Sequence, residues 1–316
     1  MTSASTLAFV FPGQGSQSLG MLKDLAEVYP VVAETFAEAS QVLGYDLWHT
    51  VQHGPDAELN KTHITQPAML AAGVAVWRVW QGQQGRQPAL MAGHSLGEYT
   101  ALVCAGALGY VDAISLVADR GRFMQEAVPQ GQGAMAAILG LDDEQVVTAC
   151  LQAAQGQIVS AVNFNSVGQV VIAGDKTAVE RAMAIANEQG AKRALLLPVS
   201  VPSHCALMLP AAERLQERLR TIEIQVPVMA VVNNVDVHAA QEPAQISAAL
   251  VRQLHNPVRW VETVRYMADH GIKTIVECGP GKVLTGLSKR ITKDVGMETI
   301  YDPASLEKTL KNIGGA

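Results

Sequence analysis

The chain has 316 residues, 49% of them hydrophobic, and 23 basic against 29 acidic side chains leave a net charge of −6 at neutral pH. That length and apolar content exclude a disordered chain and allow a large core plus a smaller lobe. The acidic balance, with no cluster of arginine among aromatics, argues against a nucleic-acid binder, and four scattered cysteines fit neither a zinc pattern nor a disulfide scaffold, so reduced thiols in a cytoplasmic protein are expected.

The amino terminus lacks a cationic stretch, and its apolar run Leu7–Phe11 reads as a strand that stops at Pro12, so no targeting segment is expected. The turn Pro12-Gly13-Gln14-Gly15-Ser16-Gln17 follows at once. A dinucleotide fingerprint would need glycine at position 18, where Ser18 stands, so a nicotinamide cofactor is not expected. What such a turn offers is exposed backbone N–H groups. The longest apolar stretch, Ala68 to Trp77, is too short to span a bilayer and reads as a buried helix, with Thr65 as its cap and Pro67 in its first turn.

Leu90-Met91-Ala92 reads as the end of a buried strand and Glu98–Val103 as the start of an amphipathic helix. Between them lies Gly93-His94-Ser95-Leu96-Gly97, a serine set between glycines at a strand-to-helix turn. This is the pattern of a nucleophile elbow, which presents the hydroxyl at the carboxyl edge of a sheet with helix N–H groups behind it. Ser95 is therefore the candidate nucleophile. The N–H of Leu96, with one from the Pro12–Gln17 turn, would form an oxyanion hole. His94 adjoins Ser95, but adjacent side chains diverge on a turn, which suits a wall or supporting role better than that of base.

A helical stretch follows Tyr110 and carries Asp119-Arg120-Gly121-Arg122; Arg120, taken alone, reads as a solvated charge or an ion-pair partner. The period then changes. Strands at Ala134–Leu139, Ile158–Asn163, Gln169–Ala173 and Arg193–Leu197 alternate with helices at Asp142–Ala154 and Asp175–Gln189. The order β-α-β-β-α-β is that of a ferredoxin-like unit. The expected organisation is thus a small subdomain over 131–200 inserted into a large α/β domain formed by 1–130 and 201–316.

Of eight histidines, His49, His53, His63, His238, His255 and His270 lie in polar or mixed stretches without a nucleophile signal. His204 differs, because Pro198 and Pro202 fix an extended segment in front of it. A lone loop histidine is commonly structural; opposite an elbow serine it becomes the candidate base. Beyond it, Val228–Val232 and Thr274–Glu277 read as strands and Trp260–His270 as a helix, completing a doubly wound parallel sheet. Gly279-Pro280-Gly281-Lys282 lacks the leading glycine and the Ser or Thr of a phosphate loop and reads as a turn into a helix that presents Lys289, Arg290 and Lys293.

Taken together, these segments resemble the malonyl-CoA:acyl carrier protein transacylase family. The matching stretches are Phe11–Gln17, Gly93–Tyr99, Arg120–Met124, Gly133–Met135, Val162–Asn165, Val199–His204, Asn233–Val235, Gln253–Val258 and Glu277–Gly281, spread over nearly the whole chain in order. The resemblance implies a large α/β-hydrolase-like domain with a parallel sheet plus the inserted ferredoxin-like small subdomain. It implies transfer of a malonyl group from coenzyme A to the phosphopantetheine thiol of acyl carrier protein, in fatty-acid biosynthesis, through an acyl-serine at Ser95.

In that reading His204 is the base, the N–H groups of Gln14 and Leu96 form the oxyanion hole, and a backbone carbonyl near Gln253 orients His204 in place of an aspartate. Arg120 becomes the clamp for the malonyl carboxylate, with Met124, His94 and Asn163 as supporting residues. Partners are malonyl-CoA and acyl carrier protein, with no nucleic acid or membrane. No metal or cofactor is expected, the coenzyme A thioester being substrate. The alternatives are a serine hydrolase or thioesterase, and an acyltransferase serving a polyketide or methylmalonyl pathway. Ser203 bears on the last of these, because it leaves room that a bulky aromatic would fill.

Overall fold

A computed structural model describes residues 5–199 and 201–313. Ser200, part of the stretch before His204, lies outside the described residues. Five parallel strands form one sheet: β1 (Leu7–Phe11), β2 (Leu90–Gly93), β7 (Ala230–Val232), β8 (Thr274–Cys278) and β9 (Gly296–Ile300), in the spatial order β7-β2-β1-β8-β9. β1 and β2 are buried at every position, which is why they read as continuous apolar runs without alternation. Helices cover both faces, one side closing around Phe9, Trp77 and Trp80 and the other around Val10, Trp260 and Val264.

A second sheet is antiparallel and made of β3 (Gly133–Leu139), β4 (Val159–Ser166), β5 (Gln169–Asp175) and β6 (Arg193–Leu196), in the order β4-β5-β3-β6. Helices Asp143–Ala154 and Lys176–Glu188 share one apolar cluster with the sheet. Strand order and connection give the ferredoxin-like arrangement. Asp142 accepts from the Gln145 N–H while the Gln145 side chain accepts from Asp142 N–H, a capping box that starts the first of these helices. β4 is tied to the segment before the helix Trp260–Asp269, where Phe164 N–H donates to the Val258 carbonyl and Val258 N–H to the Val162 carbonyl, at 3.0 and 2.9 Å.

The helix expected from Ala68 is longer than the apolar run that announced it, spanning Thr62–Gly82 with Pro67 inside. Thr65 does not cap it; its hydroxyl donates to the carbonyls of Leu59 and Lys61. Proline there forfeits one helical bond, a loss offset by burial of the helix along most of its length. The helix after Gly281 spans Val283–Ile291, so Lys293 lies beyond it, its Nζ folding back onto the Lys289 carbonyl at 2.9 Å. The four helices between Lys23 and Leu59 and the edge strand β9 lie outside the elements expected from the sequence. Among the described residues no helix is long and apolar enough to cross a membrane.

Candidate active site

Parallel pairing of β1 with β2 places the turn after each strand side by side at one edge of the sheet. The elbow needs its glycines for space. A Cβ on Gly93 would sit 1.7 Å from the Gly97 carbonyl carbon, and one on Gly97 would sit 2.0 Å from the Phe11 carbonyl oxygen. Between them Ser95 takes φ 52°, a left-handed conformation that turns its hydroxyl off the strand axis. His94 N–H donates to the Phe11 carbonyl at 3.0 Å and so ties the elbow to β1.

Ser95 Oγ lies 2.7 Å from His204 Nε2. The other ring nitrogen, Nδ1, lies 2.7 Å from the Gln253 backbone carbonyl, which can only accept. Nδ1 therefore carries the proton, and Nε2 presents its lone pair to the serine hydroxyl. His204 also has a left-handed backbone, φ 66°, and its N–H donates to the Leu254 carbonyl. Burial, reinforced by the positive charge of Arg120, pushes its pKa down to about 3, so the ring is neutral at physiological pH.

Arg120 is among the largest fully buried side chains, at 1% exposure. Nη1 donates to Gln66 Oε1 at 2.8 Å and Nη2 to Gln253 Oε1 at 3.0 Å, and the guanidinium lies over the Tyr99 ring. Among the described residues its Nε has no partner and no carboxylate pairs with it. Burial lowers its pKa, but guanidinium keeps its proton. A buried cation with donors to spare can bind an anion.

These groups open into one pocket of about 170 Å³ lined by Gln14, His94, Ser95, Leu96, Arg120, Met124, Asn163 and His204 among others. Among the described residues neither the Gln14 nor the Leu96 N–H has an acceptor, which leaves both available to an oxyanion. His94 Nε2 donates to Asn165 Oδ1 at 2.8 Å and its ring packs on Trp260. Met124 Sδ accepts from Gln66 Nε2, at 3.4 Å. Ser203 is on the wall as well. Among the described residues no group of His, Cys, Asp and Glu side chains could hold a metal ion.

Several residues of the site escaped the sequence reading of roles. Gln66 holds Arg120 from the long helix. Asn234 accepts from Ser95 N–H at 2.7 Å and donates to the Gly93 carbonyl, bracing the elbow. Glu98 and the Gln253 side chain lie behind them. Polar side chains inside an apolar helix or beside a motif are the available signal, but which one meets Arg120 is a matter of long-range packing. Cys205, beside His204, is 1% exposed, with its thiol pushed up to about 11 by burial, and so is no rival nucleophile.

The arrangement is competent for acyl transfer through a serine ester with an anionic acyl group. Known proteins agree with that chemistry. An acyl transferase domain family matches residues 8–308. The malonyl CoA-acyl carrier protein transacylase of Salmonella typhimurium is 61% identical over 303 residues, 96% of this chain and 98% of that protein. The crystal structure of an acyl carrier protein S-malonyltransferase from Vibrio cholerae is 60% identical, with a TM-score of 0.95 over 96% of this chain and 100% of that one. A malonyl-transacylase solved in complex with its type II polyketide acyl-carrier protein is 61% identical, with a TM-score of 0.96 over 97% and 99% of the two chains. With that likeness along nearly its whole length, the chain belongs to the malonyl-CoA:acyl carrier protein transacylase family.

Proposed function

We propose that this enzyme moves a malonyl group from coenzyme A to the phosphopantetheine thiol of an acyl carrier protein in the cytoplasm, serving fatty-acid biosynthesis, by way of an ester on Ser95. The observation that carries the reading is the buried Arg120, paired with no carboxylate among the described residues and lining the same pocket as the Ser95–His204 pair. Two parallel hydrogen bonds from guanidinium to carboxylate fit malonyl and leave simple acyl groups with an unmatched charge.

His204 Nε2 takes the Ser95 hydroxyl proton as Oγ attacks the thioester carbonyl, and the N–H groups of Gln14 and Leu96 receive the oxyanion. Collapse breaks the carbon–sulfur bond, and the coenzyme A sulfur leaves with the proton from His204. The carrier thiol then gives its proton to His204, attacks the ester, and expels Ser95, which regains the proton. The Gln253 carbonyl keeps the imidazole in the required tautomer throughout, in the place an aspartate holds in hydrolases.

Coenzyme A enters as substrate and no resident cofactor is needed for these steps. The polyketide carrier bound by the 61%-identical transacylase supports a carrier protein as acceptor. Mass spectrometry of the enzyme mixed with malonyl-CoA alone tests the reading: a malonyl adduct on Ser95 that discharges on adding holo carrier protein is expected, and an adduct elsewhere, or discharge to water as fast as to carrier, overturns it.

A further inference from the structure

Glu98 opens the helix Gly97–Cys104 directly behind Ser95, is 2% exposed, and does not line the pocket. Its Oε2 accepts two N–H groups, from Gln253 Nε2 at 2.8 Å and from the Asn234 backbone at 2.9 Å. Those two residues are the ones that grip Ser95. Asn234 Oδ1 accepts from Ser95 N–H at 2.7 Å, and Gln253 Nε2 donates to the Ser95 carbonyl at 3.0 Å.

Gln253 in turn has only one orientation open to it. Its NH₂ faces two acceptors, the Glu98 carboxylate and the Ser95 carbonyl, and its Oε1 faces the Arg120 Nη2 donor. A turned amide would set donor against donor at Arg120 and oxygen against carboxylate at Glu98, each an unpaired group in a site closed to water. The same residue's backbone carbonyl holds His204 Nδ1. We propose that Glu98 is a positioning residue for acyl transfer, fixing Gln253 so that its two carbonyls place His204 and Arg120 together.

The inference rests on the malonyl-transfer reading above. Its electrostatic side is also testable, because burial raises the Glu98 pKa to about 7. The charged or titratable groups that feel Glu98 are Arg120, Asp236, Arg252 and Tyr99. None of them changes charge near neutrality: both arginines stay protonated, the Arg252 pairing holds Asp236 below its usual value, and Tyr99 is pushed up to about 12. Ionised Glu98 competes with a malonyl carboxylate for the field of Arg120. The preference for malonyl over acetyl therefore falls as pH rises through neutrality.

The experiment compares Ser95 acylation by malonyl-CoA and by acetyl-CoA, per mole of titrated active site, in the wild-type enzyme, Glu98→Ala and Glu98→Gln. Using the ratio cancels ionisation of the shared coenzyme A. Glu98→Ala is expected to lower the malonyl-to-acetyl ratio of kcat/KM by about tenfold or more, and Glu98→Gln, which keeps an accepting oxygen, to restore it to within about threefold. The Gln variant also loses the wild-type fall in that ratio between about pH 6 and pH 8.

An unaltered ratio in Glu98→Ala overturns the proposal, as does a Gln variant that keeps the wild-type pH dependence. If Glu98→Ala does not fold, the pH arm of Glu98→Gln decides alone, since a merely structural role would not move it. A wild-type enzyme that takes no malonyl at Ser95 overturns the functional reading and this inference with it, whereas a malonylating wild type with indifferent Glu98 variants overturns only the inference.

Discussion

His204 and Gln253 are joined at 2.7 Å, ring Nδ1 to backbone carbonyl, so the orienting acceptor is a peptide oxygen where a serine hydrolase uses a carboxylate. A peptide oxygen fixes the tautomer without adding a negative charge beside the ring. The neighbouring cation Arg120 is therefore not neutralised by the group that orients His204, which favours its proposed role in binding an acidic acyl group.

Ser95→Ala is expected to abolish both the malonyl adduct and transfer to carrier protein, and His204→Ala to slow acylation by about 10³ or more, because base and nucleophile act as a unit. Rapid-quench measurement of the adduct checks both. A loss of only a few-fold in His204→Ala would assign the proton to another group, with His94 the nearest alternative on the pocket wall.

Arg120→Ala is expected to weaken malonyl transfer while raising transfer from acetyl-CoA, since the same substitution removes an attraction and a penalty. Steady-state kinetics with both thioesters decide it, and equal losses would make Arg120 structural.

The same variant should change the pH profile. Arg120 is one cause of the low pKa of His204, and with His204 as the proposed base acylation needs the neutral ring. Removing the cation raises that pKa toward its ordinary value, so the acid limb of acetyl-CoA acylation moves to higher pH in Arg120→Ala. A limb that stays where the wild type has it would show that burial alone holds His204 neutral.

Gly97→Ala should be destabilising before it is anything else. Its Cβ would stand 2.0 Å from the Phe11 carbonyl oxygen, a backbone atom that cannot turn aside. Forced overpacking of this kind costs about 1–3 kcal/mol, read as a lowered Tm or denaturant midpoint, together with loss of adduct at Ser95. Full stability in the variant would mean that β1 and the elbow can separate cheaply.

On this acidic chain, a local basic face is the proposed docking site for carrier protein. Lys289 and Arg290 end the helix Val283–Ile291, and Arg290 reaches across to Gln169 on β5 at 2.8 Å. Reversal of both to glutamate is expected to raise the KM for carrier and flatten its salt dependence, with acylation by malonyl-CoA nearly unchanged. Lys289→Glu alone, which spares the Gln169 contact, separates docking from loss of that contact. An unaltered carrier KM moves the face elsewhere, to Lys192 and Arg193.

Local chemistry made much of this protein legible from its residues. Buried parallel strands are short apolar runs, a serine between glycines at a strand-to-helix junction has few uses, and β-α-β-β-α-β is readable because hairpin and helix periods differ. Helix starts were less legible: Thr65 looks like a cap, yet burial extends the helix back to Thr62 through Pro67, because tertiary packing outweighs a local signal. What only the tertiary structure decided is which distant side chains share the pocket. Gln66, Glu98, Arg120, Asn234 and Gln253 stand on separate elements, and each alone reads as an ordinary polar residue. Their hydrogen bonds exist because parallel pairing of β1, β2 and β7 brings the ends of those elements to one edge, where buried polar groups far apart in the chain pair with one another and, among the described residues, Arg120 Nε is left over.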